Sequence, residues 1–418
     1  MPAKLSPRHQ SSHHDGRPRD EAEGELDAEA WVLSTEPGRR LLIEAAAVGE
    51  VRPAEIQRLR RLASANAVAA ALRLADCRAK ARVKFSQGER MWLDPIGLQQ
   101  ATSEPVALHK AGRFQSSLIV DLCAGTGGDS LALAQRASVV AVDRSQAMCR
   151  RLAWNAAVYG LAERILPCRG LAESFPIPPG AWVHIDPDRR ATKPSRARTL
   201  ADYAPALAFL RSLSERALAG AIKLSPASDF ATAFPNPDLE IELISLDGEC
   251  KEATVWFGAA ATCRRRATRL PEGVTWTDRD GDCSERLRVP TAAIAAYVYD
   301  PDPALLRAGL LDSFAAAHGL RRIAPDVDYL TSERLVATPF LMPFEVQAVL
   351  PLDLKRLRRV VAEKNLGPLE IKLRGLDLVP ERLRDQLHPR GSRPATLILA
   401  GGSGPARAIL ARRLAGVS

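Results

Sequence analysis

The sequence predicts an α/β protein centred on an open, Rossmann-like parallel sheet, with a helical N-terminal extension and a small α+β C-terminal domain. Two observations carry this reading. The apolar run at residues 118–120 ends in Asp121, opens into the glycine turn Cys123-Ala124-Gly125-Thr126-Gly127-Gly128 and enters an apolar helix at Leu131. A second apolar run ends in Asp143. Beyond it, strand signals at 164–168, 181–185 and 219–224 alternate with helical stretches near 145–158 and 199–216, the spacing of a parallel sheet with right-handed crossovers.

Taken from the N-terminus, residues 1–28 are polar and low in aromatics and predict a disordered tail. Residues 29–110 read as helices, with Pro53 at a helix start and an Ala/Leu/Arg-rich run after it. The sheet domain is expected at 111–288 and the α+β domain at 289–418. A chain of 418 residues, 46% hydrophobic and 26% charged, has room for two or three cores. No uninterrupted apolar stretch approaches the ~18 residues of a membrane span, so no membrane partner is expected. The seven cysteines are odd in number and include no C-x-x-C pair, which argues against a disulfide framework and a zinc knuckle and for the cytoplasm. The net charge of +9 is concentrated: from Pro351 to Ser418, 14 Lys and Arg face 6 Asp and Glu. Such a basic domain is the electrostatic footprint of a polyanion, although a solvated basic surface gives the same count.

The glycine loop points to a nucleoside ligand beyond the carboxyl ends of the strands. A dinucleotide fingerprint requires G-x-G-x-x-G, whereas Gly125 opens Gly-Thr-Gly-Gly-Asp-Ser. The third glycine is missing, and Asp129 would oppose a pyrophosphate at the helix start. Asp121 suits a ligand with a positive end, and Asp143 can accept from two ribose hydroxyls. The loop therefore favours S-adenosylmethionine over a dinucleotide; a tight turn that binds nothing is the plainer alternative. The expected cofactor contacts are Asp121, Cys123, Ala124, Gly125, Thr126, Gly127, Asp129, Asp143, Arg144, Gly170, Leu171 and Asp186. Two further apolar runs at 239–246 and 251–258, joined by Asp247-Gly248, predict a hairpin. They would complete a seven-stranded Rossmann-like methyltransferase sheet.

The fourth strand ends in Asp186-Pro187-Asp188-Arg189. Asp186-Pro187 resembles the catalytic tetrapeptide of amino-directed methyltransferases, in which an acid or amide and the following carbonyl hold an NH2 group with its lone pair aimed at the methyl. Arg189 stands where that pattern has an aromatic, and its guanidinium could stack on a base. Asp186, Pro187 and Arg189 are thus the catalytic candidates. A strand-end Asp-Pro turn with a surface arginine is the alternative.

Asp121 to Asp129, Val142-Asp143 and above all Asn155-Ala156-Ala157-Val158-Tyr159-Gly160 resemble the cap-guanine-N2 (trimethylguanosine synthase) group of class I methyltransferases over about residues 100–190. With Asp247-Gly248-Glu249-Cys250-Lys251-Glu252-Ala253 and Glu370-Ile371-Lys372-x-Arg374-Gly375 included, the whole chain looks more like a bacterial relative of that group with a C-terminal THUMP-like domain. The resemblance implies the fold, S-adenosylmethionine and an RNA target, tRNA or rRNA. Cys123 stands where the general methyltransferase loop has glycine, as a non-glycine also does in the cap-guanine group; the sequence departs from the pattern at Leu171, where an acid often pairs with adenine, and at Asp188-Arg189, where the cap enzymes have Pro-Trp. Asp-Pro-x-Arg also looks like a motif of uridine-C5 methyltransferases. Those need a cysteine after the fifth strand, and Ile222-Lys223-Leu224-Ser225-Pro226 has none.

In the C-terminal domain, Lys355, Arg358 and Arg359 on a basic helix expected at 352–364, with Lys372 and Arg374 on a strand, are the expected phosphate contacts. The expected activity is S-adenosylmethionine-dependent methylation of a base in structured RNA, at an amino group rather than carbon. A methyltransferase of a small molecule or protein, and a non-catalytic RNA-binding protein with a relic pocket, are the alternatives.

Overall fold

A computed structural model describes residues 19–189, 203–284, 287–402 and 404–415. The chain starts with helices α1 (Arg19–Ser34), α2 (Glu36–Ala46), α3 (Pro53–Arg60), α4 (Ala65–Ala81), α5 (Pro95–Gln100) and α6 (Glu104–Ala111). Helix α1 starts at Arg19, inside the stretch 1–28 expected to be disordered, because Leu26, Val32 and Leu33 pack into a core with Leu41, Leu59, Val68 and Leu74. Each such side chain contributes about 1.5–3 kcal/mol when fully buried. Side-chain caps define the helix starts: Thr35 accepts from Gly38 N at 3.1 Å, and Asp94 accepts from Gly97 N at 2.9 Å.

The sheet domain comprises β1 (Leu118–Leu122), α7 (Gly128–Leu133), β2 (Ser138–Asp143), α8 (Gln146–Val158), β3 (Ile165–Arg169), β4 (Trp182–Ile185), the short pair β5 (Asp188–Arg189) and β6 (Tyr203–Ala204), α9 (Leu207–Arg216), β7 (Ala219–Leu224), α10 (Phe230–Ala233), β8 (Glu240–Leu246), β9 (Glu249–Gly258), β10 (Arg265–Leu270) and β11 (Val274–Thr277). The order is β11-β10-β8-β9-β7-β4-β1-β2-β3. Strands β3, β2, β1, β4 and β7 run parallel, and β9 returns antiparallel between β7 and β8. The seven expected strands are all present; β10 and β11 extend the sheet to nine, which the sequence reading did not anticipate. Asp247 and Gly248 turn the β8–β9 hairpin with φ of 53° and 78°, as an Asp-Gly pair favours. The helix expected at 199–216 is described from Leu207 onward, and its first part lies outside the described residues.

The C-terminal part contains β12 (Tyr297–Pro301), α11 (Pro303–Arg307), α12 (Leu311–Ala317), β13 (Arg321–Ala324), β14 (Val327–Ser332), β15 (Leu341–Pro351), α13 (Leu354–Glu363), β16 (Leu366–Arg374), α14 (Pro380–Leu387), β17 (Arg393–Ala400) and β18 (Arg407–Arg413). Seven of its strands form a second sheet in the order β13-β14-β12-β15-β18-β17-β16. Its helices α11 and α12 share a core with the first sheet, where Leu305, Leu311 and Phe314 meet Leu243, Ala253 and Ala267. No helix among the described residues is long and apolar enough to cross a membrane.

Candidate active site

The strand order reverses between β1 and β4, and in an open α/β sheet that crevice is where ligands bind. Around it the carboxyl ends of four strands present partly exposed residues: Cys123, Ala124 and Gly125 after β1, Asp143 at the end of β2, Gly170 after β3, and Asp186 and Asp188 after β4. The loop after β1 takes positive φ at Cys123 (59°), Gly125 (56°) and Gly127 (97°). Gly127 is required twice over, by its φ and because an added Cβ would collide with Leu152. Beside Gly125 there is open space, with no atom within 4 Å of an added Cβ.

Asp143 ties the loop to β2 by accepting from Gly125 N at 2.9 Å and from Ser145 N at 2.8 Å. Each of its oxygens keeps a second lone pair for a ligand hydroxyl. Asn155 explains the Asn-Ala-x-Val-Tyr-Gly stretch: fully buried, it accepts from Trp92 N at 2.7 Å and donates to Trp92 O at 3.2 Å and Thr126 O at 2.9 Å. Tyr159 of the same stretch donates to Glu104 at 3.1 Å. The motif thus fastens the N-terminal helices to the glycine loop.

Two expected ligand contacts lie beneath the loop instead of facing it. Asp121 is fully buried; its Oδ2 accepts from Ser130 Oγ, and its Oδ1 lies 2.7 Å from His184 Nδ1. Asp129, also buried, lies 2.8 Å from Lys110 Nζ and accepts from Thr102 Oγ1 at 2.6 Å. A bare buried carboxylate is costly, so each acid is satisfied by the protein itself. Lys110 also lies 2.8 Å from Glu252. Burial pushes the His184 imidazole down, but Asp129 and Asp121 together raise it above its ordinary value. Thr126 is buried as well, its methyl turned toward Gly97 of α5.

On the acceptor side, Asp186 N donates to Leu122 O at 3.2 Å, which sets the strand end beside the loop. Its Oδ2 lies 2.5 Å from Lys223 Nζ, and no described residue donates to Oδ1. Burial raises the Asp186 carboxyl above its ordinary value, and Lys223 opposes the rise. Gln100, at the end of α5, donates to Asp188 Oδ1 at 3.0 Å, and its carbonyl accepts from Lys223 at 3.3 Å. Lys84 donates to Leu98 O at 2.7 Å, and burial, with Lys223 close by, lowers its amine to about 8. Arg144 is exposed, 3.5 Å from Asp188, and Leu171 is exposed at the rim. Pro187 is buried; Arg189 pairs through its backbone with Tyr203.

Sequence reasoning missed Lys223, Lys84, Gln100, Lys110 and His184. Lys223 lies within the segment read only for a cysteine, and its position at a strand end was the available signal. In the C-terminal domain, Lys355 is exposed on α13, Arg358 donates to Gln386 O at 2.6 Å and Arg359 lies 3.6 Å from Glu363. Lys372 and Arg374 are not free for phosphate: both pair with Asp300, at 2.8 and 3.1 Å. A cavity of about 690 Å³ lined by Glu370, Arg384, Arg412 and Arg413 lies on this second sheet, away from the strand ends of the first.

The 3-2-1-4 parallel order, the antiparallel strand inserted beside β7 and the acid-flanked glycine loop define the methyltransferase type of nucleoside-binding sheet. Two uncharacterized S-adenosylmethionine-dependent methyltransferases of Mycobacterium tuberculosis, from strains CDC 1551 and H37Rv, are each 34% identical over 318 residues, 75% of this chain and 85% of theirs. The chain belongs to the S-adenosylmethionine-dependent methyltransferases. Residues 116–208 match the family described as RNA cap guanine-N2 methyltransferase, and residues 342–413 match the one described as THUMP domain-like. The fold is shared with a crystal structure of a provisionally assigned methyltransferase from Porphyromonas gingivalis W83, at TM-score 0.69 and 20% identity over 94% of this chain and 99% of that one.

Proposed function

We propose that the protein methylates an amino group of a base in structured RNA. The observation that carries this reading is Asp186 at the end of β4, beside the glycine loop, with Oδ2 held by Lys223 and Oδ1 without a described donor. A carboxylate so placed can accept from one N–H of an exocyclic amine while the backbone of Pro187 takes the other, so positioning supplies most of the catalysis. When bound, S-adenosylmethionine supplies an electrophilic methyl on sulfur. The open segment Cys123-Ala124-Gly125 would carry its amino-acid end, Asp143 its ribose, and Gly170 and Leu171 the adenine edge. Asp121 and Asp129 act on it only by holding the loop from below.

The RNA part rests on the two family matches and on the exposed basic face of α13, where Lys355 and Arg356 project to solvent. Such cations would add salt-dependent affinity without reading bases. The test is mass spectrometry of nucleosides from total RNA of a deletion strain beside wild type. One methylated nucleoside should disappear, return with the intact chain, and stay absent with Asp186→Ala. An unchanged nucleoside profile would refute an RNA substrate.

A further inference from the structure

We propose that Lys223 is the positioning residue of the acceptor side: it pins Asp186 by one oxygen and cancels its charge, so that the site takes an uncharged amine and not an ammonium. This rests on the amino-directed reading above and deepens it by assigning a residue that sets the charge of the acceptor side. Lys223 stands at the end of β7 with its side chain 13% exposed, and it bridges Asp186 Oδ2 at 2.5 Å and the Gln100 carbonyl at 3.3 Å. It therefore ties Asp186 both to the sheet and to the end of α5.

The charges facing this pair come from every neighbouring element. Lys84 follows α4, Lys110 lies on α6, Asp129 on α7 and Glu252 on β9, and all of them act on Asp186, Lys223 or both. With Lys223 and Asp186 they make three lysines against three acids. Asp188, the other acid of the strand end, is held by Gln100 and lies near Arg144. A lone carboxylate in such a wall would draw a protonated amine and hold it without a lone pair to react. A neutralised carboxylate holds instead the neutral NH2 of an aromatic base by a single N–H. The nitrogen lone pair then forms the new bond to the methyl carbon, the carbon–sulfur pair stays on sulfur, and the surplus proton leaves nitrogen for water.

The test uses the full chain as wild type, Lys223→Met and Lys223→Arg. Infrared difference spectroscopy follows the carboxyl band of Asp186, assigned by its loss in Asp186→Asn, and needs no acceptor. In Lys223→Met this carboxyl should titrate about one pH unit or more higher than in wild type, and Lys223→Arg should restore it. The acidic limb of methyl transfer from labelled S-adenosylmethionine to total RNA should move to higher pH by the same shift, with S-adenosylhomocysteine binding unchanged in calorimetry. Identical titration of Asp186 in Lys223→Met and wild type, or an equal loss of transfer at every pH, would overturn the proposal. If wild type labels no RNA, the proposed function fails, while the infrared titration still decides the role of Lys223.

Discussion

His184 Nδ1 lies 2.7 Å from Asp121 Oδ1 in the floor of the glycine loop, and both side chains are 1% exposed. The pair joins the ends of β1 and β4, the two strands that flank the cofactor crevice. Removing one partner leaves the other buried without its hydrogen-bond partner, which costs about 1–3 kcal/mol. Asp121→Ala should therefore lower the thermal midpoint by several degrees, measured by scanning calorimetry. A variant as stable as wild type would show that the floor is not held by this pair.

At Gly127, φ of 97° and the nearby Leu152 both exclude a side chain. Gly127→Ala must move the loop, and S-adenosylmethionine affinity by calorimetry should fall at least about tenfold, the equivalent of ~1.4 kcal/mol. Gly49 has open space and no left-handed backbone, so Gly49→Ala should bind as wild type does.

Cys123 holds φ of 59°, in the region where a β-branched residue is worst placed. Cys123→Val should destabilise by about 1–2 kcal/mol, and Cys123→Gly should stay within about 1 kcal/mol of wild type. Denaturant unfolding of the two variants side by side measures the difference.

Glu242 gives the fold an acid sensitivity of calculable sign. Burial pushes its carboxyl up, but the hydrogen bond from His109 and the charges of His109 and Arg113 hold it well below the ordinary glutamate value. A carboxyl lowered by folding stabilises fully above its unfolded value, about 4.3, and the contribution is lost as pH falls below it. The gap in thermal midpoint between wild type and Glu242→Gln should be widest near neutral pH and shrink steadily below pH about 4. A gap independent of pH would contradict the assignment.

In the C-terminal domain the two kinds of lysine should behave differently. Lys355→Ala should weaken retention of total RNA and reduce the salt dependence of binding by about one unit of slope. Lys372→Ala should leave that slope unchanged and instead lower stability, since its ammonium serves Asp300. Filter binding across a salt series distinguishes them.

How far the fold could be read in the sequence depended on what each residue faces. Strands β1, β2 and β4 were legible because apolar runs buried on both faces end in an acid. Strand β10 was not, because Arg265, Arg266 and Arg269 leave it without an apolar run. Arg266 is taken up by Glu240 at 2.7 Å and Arg265 by the Gly309 carbonyl at 3.2 Å, both distant in sequence, while Arg269 pairs with nearby Glu272 at 3.1 Å and with distant Asp302 at 3.3 Å. The same physics hid part of the site. Asp121 and Asp129 carried the right chemistry for a ligand, yet His184, Lys110 and Thr102 reach them only once the chain has folded. Lys372 and Arg374 were legible as cations, but their pairing with Asp300, more than seventy residues earlier, was not.

Methyl transfer to an amino group held by Asp186 is the central proposal. Its most direct test incubates purified full-length protein with methyl-labelled S-adenosylmethionine and total RNA from a strain lacking the protein, followed by digestion and mass identification of labelled nucleosides. Wild type should place label on one N-methylated nucleoside, and Asp186→Ala should transfer none even at saturating S-adenosylmethionine. Transfer by Asp186→Ala at the wild-type rate, or label found only on carbon, would contradict it.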